Sequence, residues 1–139
     1  MLNGILHMLP PSANKVYKTF AQGRIVIRRL SAEAEKFKTQ AGIELGKQWM
    51  FEVPPKENTP LEVHMVFYFP ILENKGWPKS TANRYKSQDV DNYIKLLLDV
   101  MKVACGVDDA NVMVLHASKR VDSENPRIEV SIDECAEPE

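Results

Sequence analysis

The chain is poor in cysteine, has no apolar run long enough to cross a bilayer and shows no internal repeat. Each absence narrows the field. Its two cysteines, Cys105 and Cys135, lack metal-ligand spacing and read as free thiols suited to a reducing cytosol, with Cys105 in the core. No apolar stretch approaches the roughly 20 residues that a membrane span needs. The opening MLNGILHML lacks a basic segment and meets Pro10-Pro11 too soon, which argues against a signal peptide. A cytoplasmic protein without a membrane partner is expected. No serine, cysteine or histidine arrangement suggests a covalent intermediate. His7 has no second His or Cys at ligand spacing and reads as a core or edge residue. His64 reads as a surface or half-buried residue rather than a catalytic base.

What is present fits one domain. A chain of 139 residues can bury a single core, and its apolar and charged fractions are those of a soluble globular protein. Residues 1–134 are expected to form that domain, with 135–139 as a polar tail. The net charge of −1 conceals an uneven distribution. Residues 122–139 hold seven acids against Arg127 alone, so taking their −6 from the total of −1 leaves +5 over residues 1–121. A basic body with an acidic tail is compatible with a nucleic-acid partner.

Periodicity predicts the order β-β-α-β-α-β-β. Residues 3–9 and 24–28 read as strands, with 18–23 as a connection between them. Ser31 offers an N-cap for a helix over about 32–49, whose buried stripe is Ala34, Phe37, Ala41, Leu45 and Trp49. Gly42 and Gly46 in that helix mark either close packing or a frayed end. Leu61 to Phe69 alternates, with Leu61, Val63, Met65, Phe67 and Phe69 on one fully apolar face. Strands over about 111–120 and 128–132 are expected to pair as a hairpin around Asn125-Pro126. The fold class is therefore α+β, an α/β two-layer arrangement of a mixed β-sheet with two main helices. Between the Leu61 strand and the second helix, residues 71–88 form one long irregular segment. Lys75, Lys79, Arg84 and Lys86 interleave there with Trp77 and Tyr85, a composition suited to phosphates and base stacking, or to a merely solvated loop.

The second helix carries the chemistry. In KSQDVDNYIKLLLDVMKVACGVDD, residues 86–109, Val90, Ile94, Leu97, Leu98, Met101, Ala104 and Cys105 recur at spacings of three and four. Asp91, Lys95, Asp99 and Lys102 then share the polar face. Taken singly, the features have structural readings: aspartate caps helices, Asp91 and Lys95 make an ordinary i,i+4 pair, and Gly106 is a C-cap. Their conjunction is harder to explain that way. Asp89 and Asp91, two residues apart at an exposed helix start, repel each other unless a cation sits between them. An oxygen-rich site of this kind suits Mg²⁺ or Mn²⁺.

Asp89-Val-Asp-Asn-Tyr-Ile-Lys95 followed by Gly106-Val-Asp-Asp-Ala-Asn-Val112 resembles the core motif of the RusA family of Holliday junction resolvases. That family reads Asp-x-Asp-Asn-x-x-Lys, then an amphipathic helix, then a Gly-x-x-Asp-Asp-like turn entering a strand. Pro10-Pro11-Ser12-Ala13-Asn14 is similar to the family's Pro-Pro-Ser-x-Asn opening. The resemblance covers roughly residues 5 to 134. It implies that Asp89, Asp91 and Asp109 bind metal, with Asp108 the alternative third acid, and that Lys95 is the essential lysine. It also implies a mixed sheet with helices, a homodimer, and branched DNA in the form of a four-way junction as substrate.

The chemistry expected of these residues is phosphodiester hydrolysis by direct attack of water, with metal ions polarising the phosphoryl group and Lys95 neutralising developing charge. Lys75, Lys79, Arg84, Lys86 and Trp77 are the expected DNA contacts. Helix geometry raises a difficulty. An unbroken helix from residue 91 to 105 rises about 21 Å, which separates Asp91 from Asp109. Either the helix ends early or Asp109 joins the Asp89 and Asp91 of a two-fold-related copy. Competing readings are a non-catalytic branched-DNA-binding module and a nuclease for other branched DNA, such as flaps or forks. A haloacid-dehalogenase-type phosphatase is disfavoured, because Lys86-Ser87-Gln88 rather than an apolar strand precedes the Asp-x-Asp. An EF-hand fails for want of its ligand ladder and central glycine.

Overall fold

A computed structural model of the chain describes residues 1–11, 16–74, 84–86 and 90–139. Nine-residue alternation makes β4, Leu61–Phe69, the strand that organises the sheet: its odd-numbered apolar residues are all buried. Its two flanks are taken by β6, Arg127–Glu134, running antiparallel, and β5, Val112–Val121, running parallel. The strand β1, Leu2–Leu6, adds antiparallel to β6, giving the order β1-β6-β4-β5. A parallel neighbour requires a crossover, and α2, Val90–Cys105, supplies it. The α+β class, with a mixed sheet and two helices, is as expected.

The expected pairing of the last two strands is overturned, since β4 lies between them. The connection from β5 to β6 passes the end of β4, where the Asp122 N–H donates to the Phe69 carbonyl at 2.8 Å. Arg127 clamps that turn, donating to Asp122 Oδ2 at 2.8 Å and to the Asn125 carbonyl at 2.9 Å. Composition explains the order. The strand with three buried β-branched residues, Ile128, Val130 and Ile132, takes an interior position. The strand β5, whose residues are at most half-buried, takes the edge.

Both helices cover one face of this sheet. Helix α1, Ala32–Gln48, starts at Ser31, whose Oγ accepts from the Ala34 N–H at 3.1 Å. Its stripe of Ala34, Phe37, Ala41, Leu45 and Trp49 is buried as the spacing required. Gly42 marks close packing: a Cβ there would meet Val103 of α2 at 3.2 Å. The buried side of α2 is rotated from the expected stripe. It centres on Tyr93, Leu96, Leu97, Val100 and Met101, leaving Val90, Ile94, Leu98, Ala104 and Cys105 only half-buried. The Tyr93 ring decides this phase by packing against Phe67 and Phe69, with centroids 5.7 Å from each.

A second, two-stranded sheet stands apart. Strand β2, Tyr17–Gln22, pairs antiparallel with β3, Ile25–Leu30, so residues expected to be a connection are a strand. Gly23, at φ +65°, makes the two-residue turn between them, a conformation that a side chain would resist. The outer face of the four-stranded sheet carries Glu62, His64, Val66 and Tyr68 of β4, and no described element packs over it.

Candidate active site

The acidic residues lie at the two ends of α2. Asp91 is exposed in the first turn, and Lys95 is exposed one turn later. The helix then runs unbroken to Cys105, where Gly106, at φ +75°, lets the chain leave it. That removes the possibility that the helix ends early. Asp109 opens a single 3₁₀ turn, Asp109–Asn111, which feeds directly into β5. Among the described residues, no trio of possible ligands forms around Asp91 or Asp109 within one chain. Asp89 lies outside the described residues.

The two acids of the turn differ in what they touch. Asp108 caps the 3₁₀ turn, its Oδ1 accepting from the Ala110 N–H at 3.0 Å. That bond, first, and then the Asp109 side chain and the Lys102 charge hold its carboxyl below the usual range. Asp108 is thus already engaged as a structural cap, whereas the exposed Asp109 makes no backbone cap. Beside this turn a cavity of about 220 Å³ is lined by Lys56, Glu57, Asn58, Gly106, Asp108 and Asn111.

At the other end of α2, Lys95 sits in a basic, aromatic cluster. Its Nζ is 5.8 Å from the centre of the Tyr17 ring, and the Arg28 guanidinium stands 4.0 Å over the same ring. Tyr17, which follows the first of the two sequence patterns in the chain, thus lies beside Lys95 of the second. Residues 12–15 of the first pattern lie outside the described residues.

The expected DNA contacts divide. Lys75, Trp77 and Lys79 lie outside the described residues. Arg84 is half-buried and spends its Nη2 on Glu73 Oε1 at 3.1 Å, which makes it a brace for its loop. That brace belongs to a short ribbon, in which the Lys86 N–H donates to the Leu72 carbonyl at 2.7 Å and the Asn74 N–H to the Arg84 carbonyl at 2.8 Å. Lys86, half-buried, is delivered by it to the approach to α2.

Sequence reasoning missed the β2–β3 hairpin as a basic surface. Lys18, Arg24, Arg28 and Arg29 are all exposed on it, and Lys18 lies directly opposite Arg29 in the register. Like charges facing each other across a strand pair destabilise it, which is tolerable where an anion neutralises them. The Arg29 guanidinium also lies 5.6 Å over Phe20. The signal was the Gly23-Arg24 pair at the centre of a short run flanked by β-formers.

Comparison with known proteins fits this arrangement. The family model for endodeoxyribonuclease RusA matches residues 8–133, nearly the whole chain, so the protein is a nuclease acting on DNA. It belongs to the RusA family, the Holliday junction resolving endonucleases. Over 93 residues it is 34% identical to the crossover junction endodeoxyribonuclease rusA of Lactococcus phage r1t, a match covering 63% of this chain and 68% of that protein. No helix among the described residues is long and apolar enough to cross a membrane.

Proposed function

We propose that this chain resolves four-way DNA junctions as a Mg²⁺-dependent homodimer, in the cytoplasm of a bacterium or of a phage-infected cell. Each of two symmetric sites joins Asp89 and Asp91 of one copy to Asp109 of the other, and makes one of two matched nicks. The observation that carries this reading is the length of α2: it is unbroken from Val90 to Cys105 and keeps Asp91 about 21 Å in helix rise from the turn bearing Asp109. An isologous pair closes that gap twice at once. Apolar residues close to Asp109 support a second copy at this end. Met113 and Leu115, on the edge strand that the Asp109 turn feeds, are exposed to the extent of 45% and 38%.

The donor set fits a hard cation. Carboxylates alone offer the oxygen ligands that Mg²⁺ prefers, and the accessible Asp91 and Asp109 can receive it without unfolding anything. When bound, Mg²⁺ supplies Lewis-acid polarisation of the scissile phosphate and lowers the pKa of an attacking water. The chain's own part is placement. Tyr93, buried under the first turn, fixes the direction in which Asp91 points. Lys95, held near Tyr17, puts a positive charge beside the phosphate where negative charge develops. Lys18, Arg24, Arg28 and Arg29 of the hairpin, together with Lys86, Lys75, Lys79 and Trp77, contact the arms of the junction.

A synthetic four-way junction incubated with and without Mg²⁺ tests this. Wild type cleaves both strands only with the metal, while Asp91→Asn and Lys95→Ala still bind the junction but lose at least about a hundredfold in cleavage rate, the scale of losing one charge-stabilising group. Equal cleavage by Asp91→Asn and wild type refutes the assignment.

A further inference from the structure

The outer face of the sheet holds a group of metal-ligand side chains that the nuclease reading leaves unused. His64 of β4 and His116 of β5 are register partners in the parallel pair, and Glu62 lies two residues before His64 on the same face. The imidazole rings stack with centroids 4.3 Å apart and planes 16° from parallel, so a cation shared by both requires the rings to turn about their Cβ–Cγ bonds until the Nε2 lone pairs converge. Both aim Nε2 at one carboxylate oxygen, Glu62 Oε1, at 3.5 Å from His64 and 3.3 Å from His116. One donor atom from each residue falls within 4.8 Å of the other two.

These separations are longer than a tight hydrogen bond and close to the spacing of two ligands on one ion. A charge-assisted hydrogen bond from an imidazole to a carboxylate settles at about 2.7–2.9 Å, well inside both distances. Two ligands bonded to Zn²⁺ at about 2.0–2.1 Å, across a tetrahedral angle, stand about 3.3–3.4 Å apart. The two Glu62–histidine separations match that ligand spacing, and all three donors lie within 4.8 Å of one another, so a turn of the rings brings them onto one cation. The triad's neighbours favour one as well: Asp133 of β6 lies opposite Glu62 in the register, adding negative charge to the same face. Arg120 is the cation nearby, and it lines, with His64, His116 and Ser118, an open cavity of about 480 Å³ beside the rings.

We infer that Glu62, His64 and His116 form a second metal site, selective for Zn²⁺ or a similar borderline divalent cation over Mg²⁺. Two imidazole nitrogens and one carboxylate are a donor set that Zn²⁺ accepts and that Mg²⁺, which demands oxygen and octahedral geometry, does not. Three protein ligands leave the fourth position to water or to an anion in the adjoining cavity. The bound ion ties edge strand β5 to β4 only seven residues beyond Asp109, so it steadies the strand that carries the third acid's turn. The site does not depend on the nuclease reading, and its test is one of binding.

The full-length protein is freed of metal with a chelator and titrated calorimetrically with Zn²⁺ in excess Mg²⁺. Saturable binding of one Zn²⁺ per chain is expected, weakened about tenfold or more in Glu62→Gln and in His116→Gln, at the least the scale set by losing an outer-shell partner. Co²⁺ added to the stripped protein is expected to give the intense visible absorption of a tetrahedral site, lost in His116→Gln. All three side chains are accessible, so circular dichroism of the variants is expected to match wild type. Absence of saturable Zn²⁺ binding to wild type overturns the inference. So does Zn²⁺ affinity unchanged in both variants, which places the ion on other residues.

Discussion

Two neighbouring substitutions on α2 report which way that helix faces. Tyr93 is 1% exposed and lies between Phe67 and Phe69, whereas Ile94, next in the chain, is only half-buried. Truncating a fully buried aromatic to alanine costs about 3–5 kcal/mol, because apolar contact is lost and a cavity remains. With an m-value of about 2 kcal/mol/M for urea, Tyr93→Ala lowers the unfolding midpoint by roughly 2 M. Ile94→Ala removes three carbons from a half-covered site, which at about 0.8 kcal/mol for each fully buried carbon, halved for exposure, amounts to roughly 1 kcal/mol. Urea titrations followed by circular dichroism measure both. Tyr93 anchors the first turn, which carries Asp91, so under the proposed mechanism its variant is also expected to lose junction cleavage in conditions where it remains folded. A larger loss for Ile94→Ala than for Tyr93→Ala refutes the packing described, and restores the helix phase that spacing alone had indicated.

Two other outcomes follow from the surface chemistry. Arg29→Ala on the hairpin weakens junction binding about equally across sequences and reduces the slope of log affinity against log salt by about 1, if Arg29 neutralises one phosphate; an unchanged slope removes the hairpin from the interface. The Asp122 carboxyl is held below its usual range by its hydrogen bond from Arg127 and by the Asn125 N–H. A lowered folded pKa adds stability that is present above the unfolded value of about 3.9 and disappears as pH falls through the folded value. Wild type therefore exceeds Asp122→Asn in stability at neutral pH, and the two converge in acid. A difference that widens on acidification contradicts the Asp122–Arg127 account.

Where the sequence was legible, one physical cause dominated. In β4 and α1 one face or stripe is apolar throughout, so period alone names the buried side, and Ser31 announces its helix because few residues can cap one. In α2 the apolar residues Val90, Tyr93, Ile94, Leu96, Leu97, Leu98, Val100 and Met101 wrap more than half the circumference. Spacing then cannot choose the phase, and the aromatic contacts with β4 decide it. Alternation likewise tells which face a strand buries and nothing about its neighbour, which is why β5 and β6 were paired in expectation and separated by β4 in fact. The Glu62, His64 and His116 trio escaped for the same reason: 52 positions separate the histidines, and only the parallel register brings them together. The acids were legible as a motif because helix starts and turns confine them. How they combine rests, in our proposal, on a second copy, about which periodicity is silent.

The central claim is that one active site takes its acids from two chains. It is tested most directly by a heterodimer in which one subunit carries Asp91→Asn and the other Asp109→Asn. With composite sites, one site gathers both lesions and the other is left intact, so the heterodimer is predicted to nick one strand of a four-way junction at a rate near that of a wild-type site, without the paired second cut. If each site lies within one chain, both are damaged. A heterodimer that makes no nick at all contradicts the account.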